Sequence, residues 1–161
     1  MARRESDRED LLREATALVE RVELVIEGSG EPIVVGFRRD GSASFFFGVD
    51  PVYQFNSDLG LRRAFVGGLL YKAERGRLVS LTRQRTAKSL SLFRAELTAP
   101  EATDFLAEMR KRLSALQLAL QNGRFLLAGQ VPLDADIPDR IRCWLDRLPT
   151  RIAIAQAPNV G

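Results

Sequence analysis

Histidine is absent from the chain. That removes the side chain most often used as a general base near neutral pH, and the commonest transition-metal ligand. Serine–histidine and cysteine–histidine hydrolytic arrangements are therefore excluded within this chain. Cysteine is reduced to Cys143, which cannot close an internal disulfide or build a zinc site without other soft ligands. One cysteine fits a reducing compartment. Its place beside Trp144, in a stretch with helical periodicity, reads as a small buried apolar residue. Lysine is scarce too: Lys72, Lys88 and Lys111 are the only three among 24 basic residues. Positive charge is thus carried by arginine, whose planar fork suits carboxylates and phosphates, although a coding bias toward arginine would give the same composition. No apolar run approaches the roughly 18–20 residues that cross a bilayer. Met1 to Asp7 runs straight into charge without the apolar stretch of a secretory signal. The expectation is a cytoplasmic protein with no membrane partner.

What is present suits an ordinary globular chain. Hydrophobic residues make up 45% and charged residues 28% of 161, close to the averages for soluble domains. A chain of this length buries roughly 70% of its unfolded surface, so one domain with a real core is expected over residues 1–149. Residues 150–161 form a tail or an edge strand. The formal charge is +3, unevenly spread: residues 1–31 hold five arginines against nine acids, whereas residues 57–97 hold nine basic residues against three acids. Such a local excess speaks to partners, not to fold.

Along the chain, Ser6-Asp7-Arg8-Glu9 has the form of a capping box, and apolar residues recur at helical spacing from Leu11 to Val22, predicting a helix from Asp7 to Arg21. Val22, Leu24 and Ile26 then alternate with acids, changing the period to that of a strand. A succession of short strands follows, punctuated by Gly28-Ser29-Gly30, Asp40-Gly41, Asp50-Pro51, Asn56-Ser57-Asp58, Gly67-Gly68 and Arg75-Gly76. Asp40-Gly41 is a strong hairpin signal because both residues tolerate positive φ. Turn signals this regular, without helical stretches between them, predict sequential antiparallel pairing. Thr98-Ala99-Pro100-Glu101 is a second capping box, and Ala102, Phe105, Met109, Leu113, Leu116 and Leu120 form one stripe that Asn122-Gly123 ends. Arg124 to Val131 reads as a strand. Asp136 caps a shorter helix with Ile137, Ile141, Trp144, Leu145 and Leu148 on its apolar face, stopped by Pro149. The fold class is α+β: an N-terminal helix, an antiparallel β-meander of about seven or eight strands, and two C-terminal helices packed on the sheet.

Several strands are apolar at consecutive positions: Phe45, Phe46 and Phe47 in one, Phe65 and Val66 in another, Leu69 and Leu70 in a third. A sheet with one face in water alternates instead. Both faces therefore need cover, and the helices can supply only one. This makes Phe45, Phe46, Phe47, Phe65, Leu69 and Leu70 candidates for self-association.

Motifs for catalysis are weak. Gly28-x-Gly30 lacks the third glycine of a dinucleotide loop and precedes a strand, not a helix. Asp134, Asp136 and Asp139 do not follow the spacing of a calcium loop and suit a helix start instead. Asp40, Asp50, Asp58 and Glu74 occupy turn-like contexts, and Ser42 and Ser44 have no base in their motif. Lys72, among apolar strand residues, is the one lysine that desolvation could turn into a base. No catalytic residue, metal ligand or cofactor is assigned. The basic stretch carries more: Arg62, Arg63, Lys72, Arg75, Arg77, Arg83, Arg85, Lys88 and Arg94 interleave with Phe65, Tyr71 and Phe93. Arginines and aromatics on a sheet can hold single-stranded nucleic acid. Alternation, however, is expected to put Arg62 and Lys72 on one face and Phe65 and Tyr71 on the other, and arginines on strand edges also block aggregation. The leading expectation is a non-catalytic binding or assembly module that self-associates, its partner a second copy or another protein. Binding of nucleic acid or another polyanion through residues 62–94 is the alternative. A small-ligand carrier or unrecognised enzyme, using a pocket under the phenylalanines, is the third.

Overall fold

Pairs of residues with positive φ set the middle of the sheet. Gly67-Gly68 (φ 61° and 78°) and Arg75-Gly76 (φ 52° and 79°) each make a two-residue turn whose twist matches that of the flanking strands. The computed structural model describes residues 20–85, 90–128 and 137–156. The strands are β1 (Glu20–Ile26), β2 (Pro32–Phe37), β3 (Ala43–Phe47), β4 (Val52–Phe55), β5 (Leu61–Val66), β6 (Leu69–Glu74), β7 (Arg77–Arg85) and β8 (Leu90–Glu96), followed after helix α1 (Ala99–Asn122) by β9 (Phe125–Ala128) and helix α2 (Ile137–Asp146). All nine strands join one antiparallel sheet in the order β8-β7-β6-β5-β4-β3-β2-β1-β9.

This is the expected α+β meander with differences of detail. The strand read after α1 is present as β9, and the chain returns there to extend the sheet by pairing β9 with β1. The Asp7–Arg21 helix lies outside the described residues except at its end, where Glu20 and Arg21 already belong to β1 and pair with Phe37 and Gly36. Asp40-Gly41 closes a longer loop than a two-residue hairpin. Only Gly41 has positive φ there, and the Asp40 carboxylate instead accepts from Ser42 N (2.9 Å) and Ser42 Oγ (2.7 Å). Those bonds hold the Asp40 pKa below its ordinary value.

Helix α1 starts where its sequence says. Thr98 Oγ1 accepts from Glu101 N, the Glu101 carboxylate accepts from Thr98 N, and Gly123 in the left-handed region ends the helix. Its stripe of Met109, Leu113, Leu116 and Leu120 packs with Ile141, Trp144, Leu145 and Leu148 of the α2 region onto one sheet face. That face is built by Val22, Leu24, Ile33, Val35, Phe45, Phe47, Tyr53, Phe55 and neighbours. Trp144 sits 5.4 Å from Phe45 and 5.3 Å from Phe55, ring centre to ring centre. Its Nε1 donates to Gly41 O at 3.1 Å. Beyond α2, Ile152 and Ala155 are buried. The backbone there exchanges bonds with Leu61 and accepts from Gly76 N, bridging in parallel to Leu61 through Ile154.

Tyr53 lies under this layer between Phe47 and Phe105, and burial pushes its phenol up to about 12 from 10.0. Because the folded state raises this pKa, its contribution to stability is complete below pH 10 and is lost as pH rises toward 12. Chemical denaturation across that range should show a loss of about 2–3 kcal/mol that Tyr53→Phe removes. Equal losses in both proteins would refute the assignment.

The second sheet face is also apolar, but in one row only. Phe46, Val52 and Phe65 are 2%, 0% and 4% exposed in the isolated chain, with Val34 and Leu70 packed against them. The neighbouring row, which runs Ser44, Gln54, Arg63 and Lys72 across β3 to β6, is polar. Its first three members are buried, and Arg63 Nε donates to Gln54 Oε1 at 2.9 Å.

Candidate functional site

The self-association candidates separate by face. Phe45 and Phe47 belong to the core beneath the helices. Phe46, Phe65 and Leu70 meet on the opposite face, where Phe65 stands directly across from Leu70. Leu69 and Leu70 are half-buried. The four phenylalanines are already withdrawn from water within one chain, so they do not make an exposed patch.

The exposed large apolar side chains among the described residues are Val49 between β3 and β4, Leu118 on α1, and two adjacent leucines at one end of the sheet. Leu126 is 71% and Leu127 47% exposed, on β9, the last strand in the order. The strand reads Phe-Leu-Leu-Ala, and two consecutive leucines must point to opposite faces. Leu126 lies opposite Val25 and Leu127 opposite Leu24. The strand carries no charge and no proline, the devices that usually blunt an edge. The other end of the sheet is different. On β8, Glu96 pairs with Arg77 at 3.1 Å and Arg94 pairs with Glu74. The sequence placed a strand here but did not mark its leucines, because strand position in the sheet is a tertiary property.

The basic stretch is divided among several tasks. Arg63 is buried against Gln54, and Arg77 and Arg94 hold the ion pairs just named. Arg62 and Lys72 are half-buried, and Arg75 is exposed in its turn. The side chains of Arg83, Arg85 and Lys88 lie outside the described residues. The expected sharing of faces is corrected. The Gly67-Gly68 turn sets Arg63, not Arg62, across from Lys72, on the same face as Phe65. Tyr71 is on the helix side, 5.2 Å from Phe105, and burial there raises its pKa. Arg62 is the extra residue where the β4–β5 register shifts, since Gln54 pairs with Arg63 and Phe55 with Leu61.

One other reading changes and one holds for Asp139, which lies in the first turn of α2. Cys143 is exposed, because the buried stripe of α2 runs through Ile141, Trp144, Leu145 and Leu148 and position 143 falls beside it. Asp134 and Asp136 lie outside the described residues, and Asp139 is paired with Arg142. Among the described residues no three acidic or thiol groups cluster to hold a metal, and no helix is long and apolar enough to cross a membrane. The chain matches no protein-family model, no curated protein and no solved structure.

Proposed function

We propose that the protein is a non-catalytic assembly module that pairs with a second copy of itself along β9. The observation that carries this reading is the exposure of Leu126 and Leu127 on an end strand without charge or proline. Antiparallel pairing of β9 with its own copy is isologous, so one strand supplies both halves of the contact. The opposite end of the sheet, with its Arg77–Glu96 and Arg94–Glu74 pairs, favours water over a neighbouring strand. This shifts self-association from the phenylalanine face to the sheet edge. Polyanion binding through residues 62–94 has less support, since Arg63, Arg77 and Arg94 are engaged within the fold.

Sedimentation velocity over a micromolar concentration series tests the proposal. The expected result is a species of twice 18.0 kDa that dissociates on dilution. Burying a leucine contributes about 1.5–3 kcal/mol, so Leu126→Lys with Leu127→Lys should weaken the dimer about a hundredfold or more. Both side chains are outside the core, so the melting temperature of the variant monomer should match that of the dissociated parent. A parent that sediments as an 18.0 kDa monomer throughout the series would remove the reading.

A further inference from the structure

Helix α2 sorts its charges by side. Arg142 meets Asp139 at 3.9 Å and Asp146 at 3.2 Å, drawing the helix's two acids toward one cation. Arg140, Cys143, Trp144 and Arg147 follow one another at i, i+3, i+4 and i+7 and therefore share another side. That side faces the loop between β2 and β3. There Arg38, Arg39 and Gly41, with Phe37 at the end of β2, complete the wall of an open cavity of about 350 Å³. The bond from Trp144 Nε1 to Gly41 O ties the two walls together. Among the described residues four arginines line this one concavity and no acidic side chain does. Of the acids next to lining residues in sequence, Asp40 directs its carboxylate into its own turn, to Ser42, and Asp139 and Asp146 meet Arg142.

We propose that this cavity is a binding site for a small phosphorylated molecule, its phosphate oxygens received by Arg39 and Arg147. Arg38 and Arg140 also engage other groups of the chain and complete the basic lining. Arg39 and Arg147 are exposed, with no acidic partner among the described residues. Guanidinium forks match phosphate oxygens in pairs, and several of them around one hollow suit a compact dianion. The volume lies within the usual range for small-molecule sites of about 300–1,000 Å³. A concavity, in contrast with a track of basic residues, suits a compact ligand over a polymer. The half-buried Phe37 ring offers an apolar wall for the ligand's body.

Trp144 is the only tryptophan in the chain and lines the cavity, so indole fluorescence comes from one wall of this site. Titration of the full chain with pyrophosphate at constant ionic strength should give a saturable change. Arg39→Gln with Arg147→Gln should weaken that binding at least about tenfold while leaving the melting temperature unchanged. Arg147→Gln alone serves if the double variant does not fold. Pyrophosphate should also slow alkylation of Cys143, a second readout independent of the indole. Absence of saturation together with unprotected Cys143 would overturn the site, and so would equal binding by the variant. Citrate binding as tightly as pyrophosphate would overturn the phosphate class. Tighter binding of an oligothymidylate would overturn the assignment to a small molecule.

Discussion

Phe46→Ala should destabilise the protein by about 3–5 kcal/mol, the usual loss on truncating a fully buried phenylalanine. For a domain of this size that is a drop in Tm of very roughly 10 °C. The reason is that Phe46, at 2% exposure, fills a cluster with Val52 and Phe65 on the face of the sheet away from the helices. Phe45→Ala, one residue earlier and beneath Trp144, should cost a similar amount. The informative comparison is between the two variants at different protein concentrations. If one chain suffices to dry both faces, the two losses are similar and neither depends on concentration. If a second subunit were needed to cover Phe46, its loss alone would grow with concentration, because the parent would gain stability from association by mass action. Urea denaturation at two concentrations an order of magnitude apart decides between these outcomes.

Trp144→Ala is the second large effect, expected at about 3–5 kcal/mol. Three interactions go at once: the ring contacts with Phe45 and Phe55, the apolar cover over the sheet, and the bond to Gly41 O. Trp144→Phe separates them. It keeps most of the packing and removes the N–H donor, and a single such bond is worth about 1 kcal/mol. Circular dichroism should therefore show a large loss for the alanine variant and a small one for the phenylalanine variant. Equal, small losses would mean that α2 is not anchored to the β2–β3 loop through this residue. The Trp144→Phe protein also tests the cavity separately from its fluorescence, since slower Cys143 alkylation by pyrophosphate should persist in it.

The legible parts of the chain are those in which local chemistry decides. Thr98, Glu101 and Gly123 bound α1 because caps satisfy backbone groups within a single turn. Gly67-Gly68 and Arg75-Gly76 bend the chain where positive φ is needed at both positions. The Gly67-Gly68 turn also contained the register that places Arg63 opposite Lys72, since a two-residue loop leaves one pairing open to the flanking strands. Parity counted from Arg62 misses this. The register shift between β4 and β5 brings Leu61 and Ala64, three residues apart, into the same core.

Sequence pattern by itself determined the antiparallel meander, the long helix with its buried stripe, and apolar residues on both sheet faces, but not the polar row of Ser44, Gln54, Arg63 and Lys72 on the second. Each follows from spacing within a single element or from the turn that joins two neighbours. Only the tertiary structure decided that Phe46 and Phe65 are shielded within one chain, that Leu126 and Leu127 stand at the end of the sheet, and that Arg39 and Arg147 face one hollow. Those facts depend on which distant segments meet. The β2–β3 loop and α2 are about a hundred residues apart, joined by a hydrogen bond from Trp144 to Gly41 across 103 positions, and no local period records such a meeting.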